Sequence, residues 1–184
     1  MTIRLTLLAP APAAAPRGAR VDDDGPLDEA GRRQVRAVAA GVPSARRHLT
    51  SPSGRCRQTA AELGLDAEVE TDLRELDLGS WHGRTLDELA AGEPEALAEW
   101  TTDPASAPHG GESVVRLCRR IGDWLDHLPG NAGRVLAVTP ASVARASVVH
   151  ALGAPPDAFW RIDVPPLTQV RLTGRNHRWN LRFG

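Results

Sequence analysis

The chain has 184 residues, a formal charge of −1, 41% hydrophobic and 24% charged residues, which is about one domain's length with enough apolar content for a core. That balance excludes a disordered chain, and it gives no global basic field that would point to nucleic acid or to an anionic membrane. No apolar run approaches the roughly 18 residues that a membrane span needs.

All 22 basic residues are Arg. The two cysteines, Cys56 and Cys118, have no metal-type spacing and fit a reduced, cytoplasmic chain. Ile3–Ala9 reads as a buried first strand. The same stretch followed by an Ala/Pro tail has the outline of a short secretory leader, but the strand is the better reading. A loop rich in Ala and Pro runs from Pro10 to Pro16. Asp28 stands at an N-cap position ahead of Glu29 and a helical run that includes Val35, Val38, Ala39 and Val42. Arg47–Ser51 is a short strand and Arg55–Leu63 the helix after it. Leu86–Trp100 is helical but broken at Pro94 into two short pieces. Over Glu112–Leu128, Val115, Cys118, Ile121, Trp124 and Leu125 recur at helical spacing. Arg134–Thr139 is apolar enough for a central strand buried on both faces. A helix follows to Leu152, and Leu167–Thr173 with Arg178–Phe183 form a closing edge hairpin around Gly174. Alternating strand and helix patterns make this an α/β layer architecture, one domain over residues 1–184.

In such sheets ligands bind at the carboxyl ends of the strands. Three loops leave those ends: Ala9-Pro10-Ala11, Ser51-Pro52-Ser53-Gly54-Arg55 and Thr139-Pro140-Ala141-Ser142. Helix N-termini there present unpaired N–H groups, and Arg55 adds a forked cation, so the residues alone point to a pocket for a small anion or phosphate.

Several segments in the right order resemble motifs of the histidine phosphatase superfamily, the phosphoglycerate-mutase-like proteins. Pro26-Leu27-Asp28-Glu29-Ala30-Gly31 is similar to its P-L-T-E-x-G helix start. Ser51-Pro52-Ser53-Gly54-Arg55-Cys56-Arg57-Gln58-Thr59-Ala60 resembles S-P-x-x-R-x-x-Q-T-A. Leu73 through Gly83, with Glu75, Gly79, Trp81 and Gly83, resembles L-x-E-x-x-x-G-x-W-x-G. Gly110-Gly111-Glu112-Ser113 is similar to G-G-E-S, and Val138-Thr139 with Val143 and Arg145 to V-T-H-x-x-V-x-R. The resemblance implies a three-layer αβα sandwich with a mostly parallel central sheet. A small helical cap over about residues 84–108 should lean over the strand ends. The first strand and the 135–139 strand should lie side by side, bringing Pro10 and Pro140 together.

The family's chemistry rests on two histidines and two arginines around one phosphoryl group. Here Ala9-Pro10-Ala11 stands where the resemblance implies R-H-G, and Pro140 stands at the second histidine position. Of the pocket groups Arg55 is present, with Glu75 at the general-acid position. Proline has no nitrogen that can attack phosphorus, and loss of a nucleophile typically costs on the order of 10⁶ in rate. The favoured reading is a degenerate member, non-catalytic or nearly so, that binds a small anionic or phosphorylated molecule or acts as a regulatory module. It implies no cofactor, no metal, no nucleic acid and no membrane. A protein partner, sought on the exposed face around Trp100, or a homodimer stays open. The alternative is a phosphomonoester hydrolase working through water activated by Glu75 or His109, with Arg55 holding the phosphate. Ser142 and His109 complete the candidate binding residues. Asp22-Asp23-Asp24 reads as a solvated loop, with a divalent-cation site as the other possibility. Cys56 is a core-facing helical cysteine or, beside Arg55, a thiol of lowered pKa.

Overall fold

The computed structural model describes residues 2–12, 20–21 and 24–183. Six strands form one mixed sheet in the order β3-β2-β4-β1-β5-β6: β1 is Ile3–Leu8, β2 Arg47–Thr50, β3 Glu68–Val69, β4 Arg134–Val138, β5 Gln169–Arg175 and β6 Arg178–Arg182. The first four in the order, β3, β2, β4 and β1, are mutually parallel, and β5 and β6 close the other edge as an antiparallel hairpin. The helices are α1 Glu29–Val38, α2 Gly54–Glu62, α3 Leu86–Gly92, α4 Pro94–Thr102, α5 Val114–His127 and α6 Ala141–Leu152. The expected α/β fold with its mostly parallel centre is thus present.

Period-two alternation sorts β1 onto the two faces of the sheet. Ile3, Leu5 and Leu7 join Leu117, Ile121 and Trp124 of α5 and Val143 of α6 in the larger core. Leu8 turns to the other side and packs with Leu136, Val138 and with Cys56 and Ala60 of α2. Short polar side chains start the helices: Asp28 accepts from the Gly31 N–H at 2.7 Å and Ser113 from the Arg116 N–H at 3.2 Å. Thr85 and Glu88 form a reciprocal capping box on α3. The helix break expected at Pro94 falls there, with Pro94 in the first turn of α4.

One expectation is corrected. The closing hairpin does not turn at Gly174. Asn176 and His177, with φ of 50° and 58°, make the two-residue turn, a left-handed pair matched to the twist of the flanking strands. Gly174 instead lies inside β5 opposite Trp179, whose indole covers it. Around Trp100 most of α4 is exposed, as expected, and the Trp100 side chain itself is half-buried. Its ring packs edge-on against Trp81 and Trp160, with centroids 5.6 and 4.4 Å away. At the α3–α4 junction Glu93 accepts from the Trp81 indole at 3.0 Å and pairs with Arg84.

A Cβ at Gly174 would stand 2.7 Å from the Trp179 ring. Gly174→Ala should therefore destabilise the protein by about 1–3 kcal/mol, read as a lower urea midpoint at unchanged m-value.

Candidate functional site

Register assembles the site. Leu8 of β1 lies opposite Val138 of β4, and the Thr139 N–H donates to the Leu8 carbonyl at 3.0 Å. Ala9-Pro10-Ala11 and Thr139-Pro140 consequently leave the sheet from adjacent strands. On the other side of β4, the Ser51 N–H donates to the Val138 carbonyl at 2.9 Å and launches the loop to Arg55. Past β3 and a 3₁₀ turn at Thr71–Leu73, the chain delivers Glu75 to the same end, where its carboxylate accepts from the Ser142 hydroxyl on α6 and from the Leu76 N–H. Pro10, Arg55, Glu75, Pro140 and Ser142 thus sit on loops or helix starts at one end of the sheet.

The two helix N-termini at this end differ. Asp24 fills that of α2: its carboxylate accepts from Ser53 Oγ at 2.8 Å, Gly54 N at 2.6 Å and Arg55 N at 2.9 Å. Those N–H groups are not open to a ligand, contrary to the expectation that each strand-end helix would offer free donors. Asp22 and Asp23 lie outside the described residues, and Asp24 is exposed and at the same time caps α2. At α6 the N-cap is Pro140 itself, in extended conformation and with no side-chain cap. The opening N–H groups of α6 have no acceptor among the described residues, a positive helix end of the kind that binds anions. Two buried polar atoms nearby also lack partners: Arg55 Nε and Thr139 Oγ1.

His109 is buried among aromatic rings. It is only 2% exposed, lies edge-on to Trp81 with centroids 5.1 Å apart, and accepts at Nδ1 from the Gly111 N–H at 3.0 Å. Burial pushes its pKa below the usual imidazole value, so it is held as a neutral packing group. The other histidines stand within β2 (His48), after the Gly79–Trp81 turn (His82), at the ends of α5 (His127) and α6 (His150), and in the β5–β6 turn (His177). Cys56 is fully buried, and burial outweighs nearby Arg55 in pushing its thiol up to about 12.

A clamp that the sequence reading did not identify fixes the Glu75 segment. Buried Glu112 takes a two-pronged ion pair from Arg120, at 2.9 and 2.6 Å, and Arg120 also donates to the carbonyls of Asp72 and Arg74. No helical spacing flags the pair, because Glu112 precedes the Ser113 N-cap and Arg120 lies well inside α5. Alongside, Gly79 and Gly111 let two backbones touch. A Cβ on Gly79 would overlap the His109 carbonyl, and one on Gly111 the Asp77 carbonyl. Among the described residues no group of three or more His, Cys, Asp or Glu could hold a metal ion, and no helix is long and apolar enough to cross a membrane.

Residues 14–183 match the family profile described as "Histidine phosphatase superfamily (branch 1)". A glucosyl-3-phosphoglycerate phosphatase of Mycobacterium tuberculosis is 40% identical over 105 residues, 53% of this chain and 46% of that protein. A bifunctional protein of the same organism is 38% identical over 111 residues, 55% of this chain. The chain therefore spans less than half the length of these relatives, 30% in the second case. A solved structure of the mycobacterial glucosyl-3-phosphoglycerate phosphatase superimposes with a TM-score of 0.83 at 28% identity, covering 98% of this chain and 97% of that one.

Two outcomes follow. Arg120→Ala leaves a buried carboxylate without its main partner and should cost about 3 kcal/mol or more by urea denaturation. His109 has a depressed pKa in the folded state, so its contribution is full above about pH 6.5 and fades as pH falls, because the unfolded chain takes the proton more readily. Melting temperature should drop between pH 7 and pH 5, and His109→Phe should flatten that dependence.

Proposed function

The chain belongs to the histidine phosphatase superfamily, and we propose that it works as an anion-binding member that forms no phosphohistidine. The observation that carries this reading is the pairing of Leu8 with Val138, which sets Pro10 and Pro140 on adjacent strands at the point where the uncapped α6 N-terminus opens. If these prolines stand at the family's histidine positions, as the motif resemblance implies, the site has no nitrogen nucleophile. It keeps groups that attract an anion: the Arg55 guanidinium, the Thr139 hydroxyl and the α6 N–H groups. One helix end and one arginine hold a phosphate weakly, with Kd on the order of 10⁻⁴ to 10⁻³ M. A helical cap of α3 and α4 over this end remains part of the proposal, as does a cytoplasmic location. A second reading has one observation in its favour. Glu75, held by Ser142 and the Leu76 N–H, is a positioned carboxyl that could serve a water-mediated phosphomonoester hydrolysis, the activity class named for the relatives.

The test is rescue. Ala9→Arg, Pro10→His and Pro140→His are installed together, and both proteins are assayed on a panel of phosphomonoesters with phosphate binding followed by calorimetry. The proposal expects turnover at buffer level for the natural chain, phosphatase activity in the triple variant, and phosphate binding to the natural chain that Arg55→Gln abolishes. Turnover by the natural chain that disappears in Glu75→Gln would overturn it in favour of the second reading.

A further inference from the structure

At the end of the sheet opposite the site just described, arginines gather on a sheet face that no helix covers. Helices α1 and α2 cap this face toward the carboxyl ends of the parallel strands, where Leu8, Leu136 and Val138 meet Cys56 and Ala60. Below them the alternation of each strand presents Arg4 on β1, Arg134 on β4, Arg171 on β5 and Arg182 on β6, four adjacent strands. Register aligns them in like-charged pairs, with Arg4 opposite Arg134 and Arg171 opposite Arg182. Arg46 adds a fifth, since its backbone N–H donates to the Arg134 carbonyl at 3.0 Å. Like charges directly across a sheet destabilise it, and a chain of net charge −1 has carboxylates available to offset them. Yet Arg4, Arg46, Arg134 and Arg182 have no carboxylate partner among the described residues.

These arginines line two adjoining recesses of about 400 and 340 Å³ that share Arg4 and Arg134, and neither is lined by a described Asp or Glu. The groove along α5 is different, because there Arg116, Arg119 and Arg120 alternate with Glu112 and Asp123. We propose that the arginine-lined cleft binds a small polyanion carrying several phosphoryl groups in a row. Each recess has the volume of a small-molecule site. Four strands about 4.8 Å apart spread the guanidinium groups over roughly 14 Å, too far for one phosphate and suited to a chain of them. Forked guanidinium donors pair with phosphoryl oxygens two at a time. Thr6 and Thr173 add hydroxyls to the floor. No aromatic ring lines either recess, since Trp179 of the same hairpin is buried on the far face against Gly174. Single-stranded nucleic acid, which relies on stacking, is the less suited ligand.

Inorganic tripolyphosphate is the probe, titrated by calorimetry into the full chain at low ionic strength. The expected result is affinity at least about tenfold weaker in the double variant Arg4→Gln, Arg134→Gln, unchanged affinity in the control Arg119→Gln on the exposed side of α5, and weaker binding as salt rises. The exposed edge-strand variant Arg182→Gln gives an independent reading, and it too should weaken binding. Melting temperatures of these variants should stay level or rise, because a like-charge contact is relieved. Parental affinity in the arginine variants would overturn the proposal. So would loss of binding in Arg55→Gln, which would move the anion to the other end of the sheet. Tighter binding of an oligo-dT strand than of tripolyphosphate would overturn it in favour of a nucleic-acid partner.

Discussion

Parallel pairing of β1 with β4 joins segments from opposite ends of the sequence, and the rest of the site depends on that register. Leu8 faces Val138, so the loop after β1 and the start of α6 must emerge together. Ser51 bonded to the Val138 carbonyl adds the Arg55 loop on the other flank. Parallel strands need crossovers, and those crossovers supply the helices that bury both sides of the central strands. A slip of one residue would send Leu8, Leu136 and Val138 to the wrong face and separate the loops, so the hydrophobic pattern itself enforces the geometry.

The family motifs that this chain keeps have physical work that is independent of turnover. Gly79 and Gly111 allow two backbone segments to touch, Glu112 anchors Arg120, Ser113 caps α5, and Trp81 is the floor on which Trp100 and His109 rest. Each of these contacts stabilises the fold whether or not phosphorus is ever attacked. Pro140 is compatible with the same frame, because an N-cap residue donates no helical hydrogen bond.

Much of this was legible in the sequence for local reasons. Asp28, Ser113 and Thr85 mark helix starts by the chemistry of their own side chains, and the apolar run from Val135 to Val138 identifies a strand covered on both faces. What escaped depends on contacts between distant segments. Strand β3 is only Glu68–Val69, too short for any period to register. Asp24 reaches α2 across a loop, and nothing near it in sequence announces that contact. The hairpin turn went to Asn176 and His177 because Gly174 was needed to make room for Trp179.

Arginines are the one basic residue type in the chain, and they serve different ends in different settings. Arg120 fixes a loop, Arg55 stands in the first turn of α2 at the strand ends, and Arg4 and Arg134 lie side by side at the far end of the sheet with no carboxylate partner among the described residues. The central claim concerns the strand ends: that an anion can settle there without becoming bonded to the protein. Intact-protein mass spectrometry after incubation with a reactive phosphoryl donor such as acetyl phosphate, quenched at neutral or alkaline pH, tests it directly. The account predicts one unmodified species for the natural chain, at all times sampled. Accumulation of a species heavier by one phosphoryl group and labile to acid, as a phosphohistidine is, would contradict it.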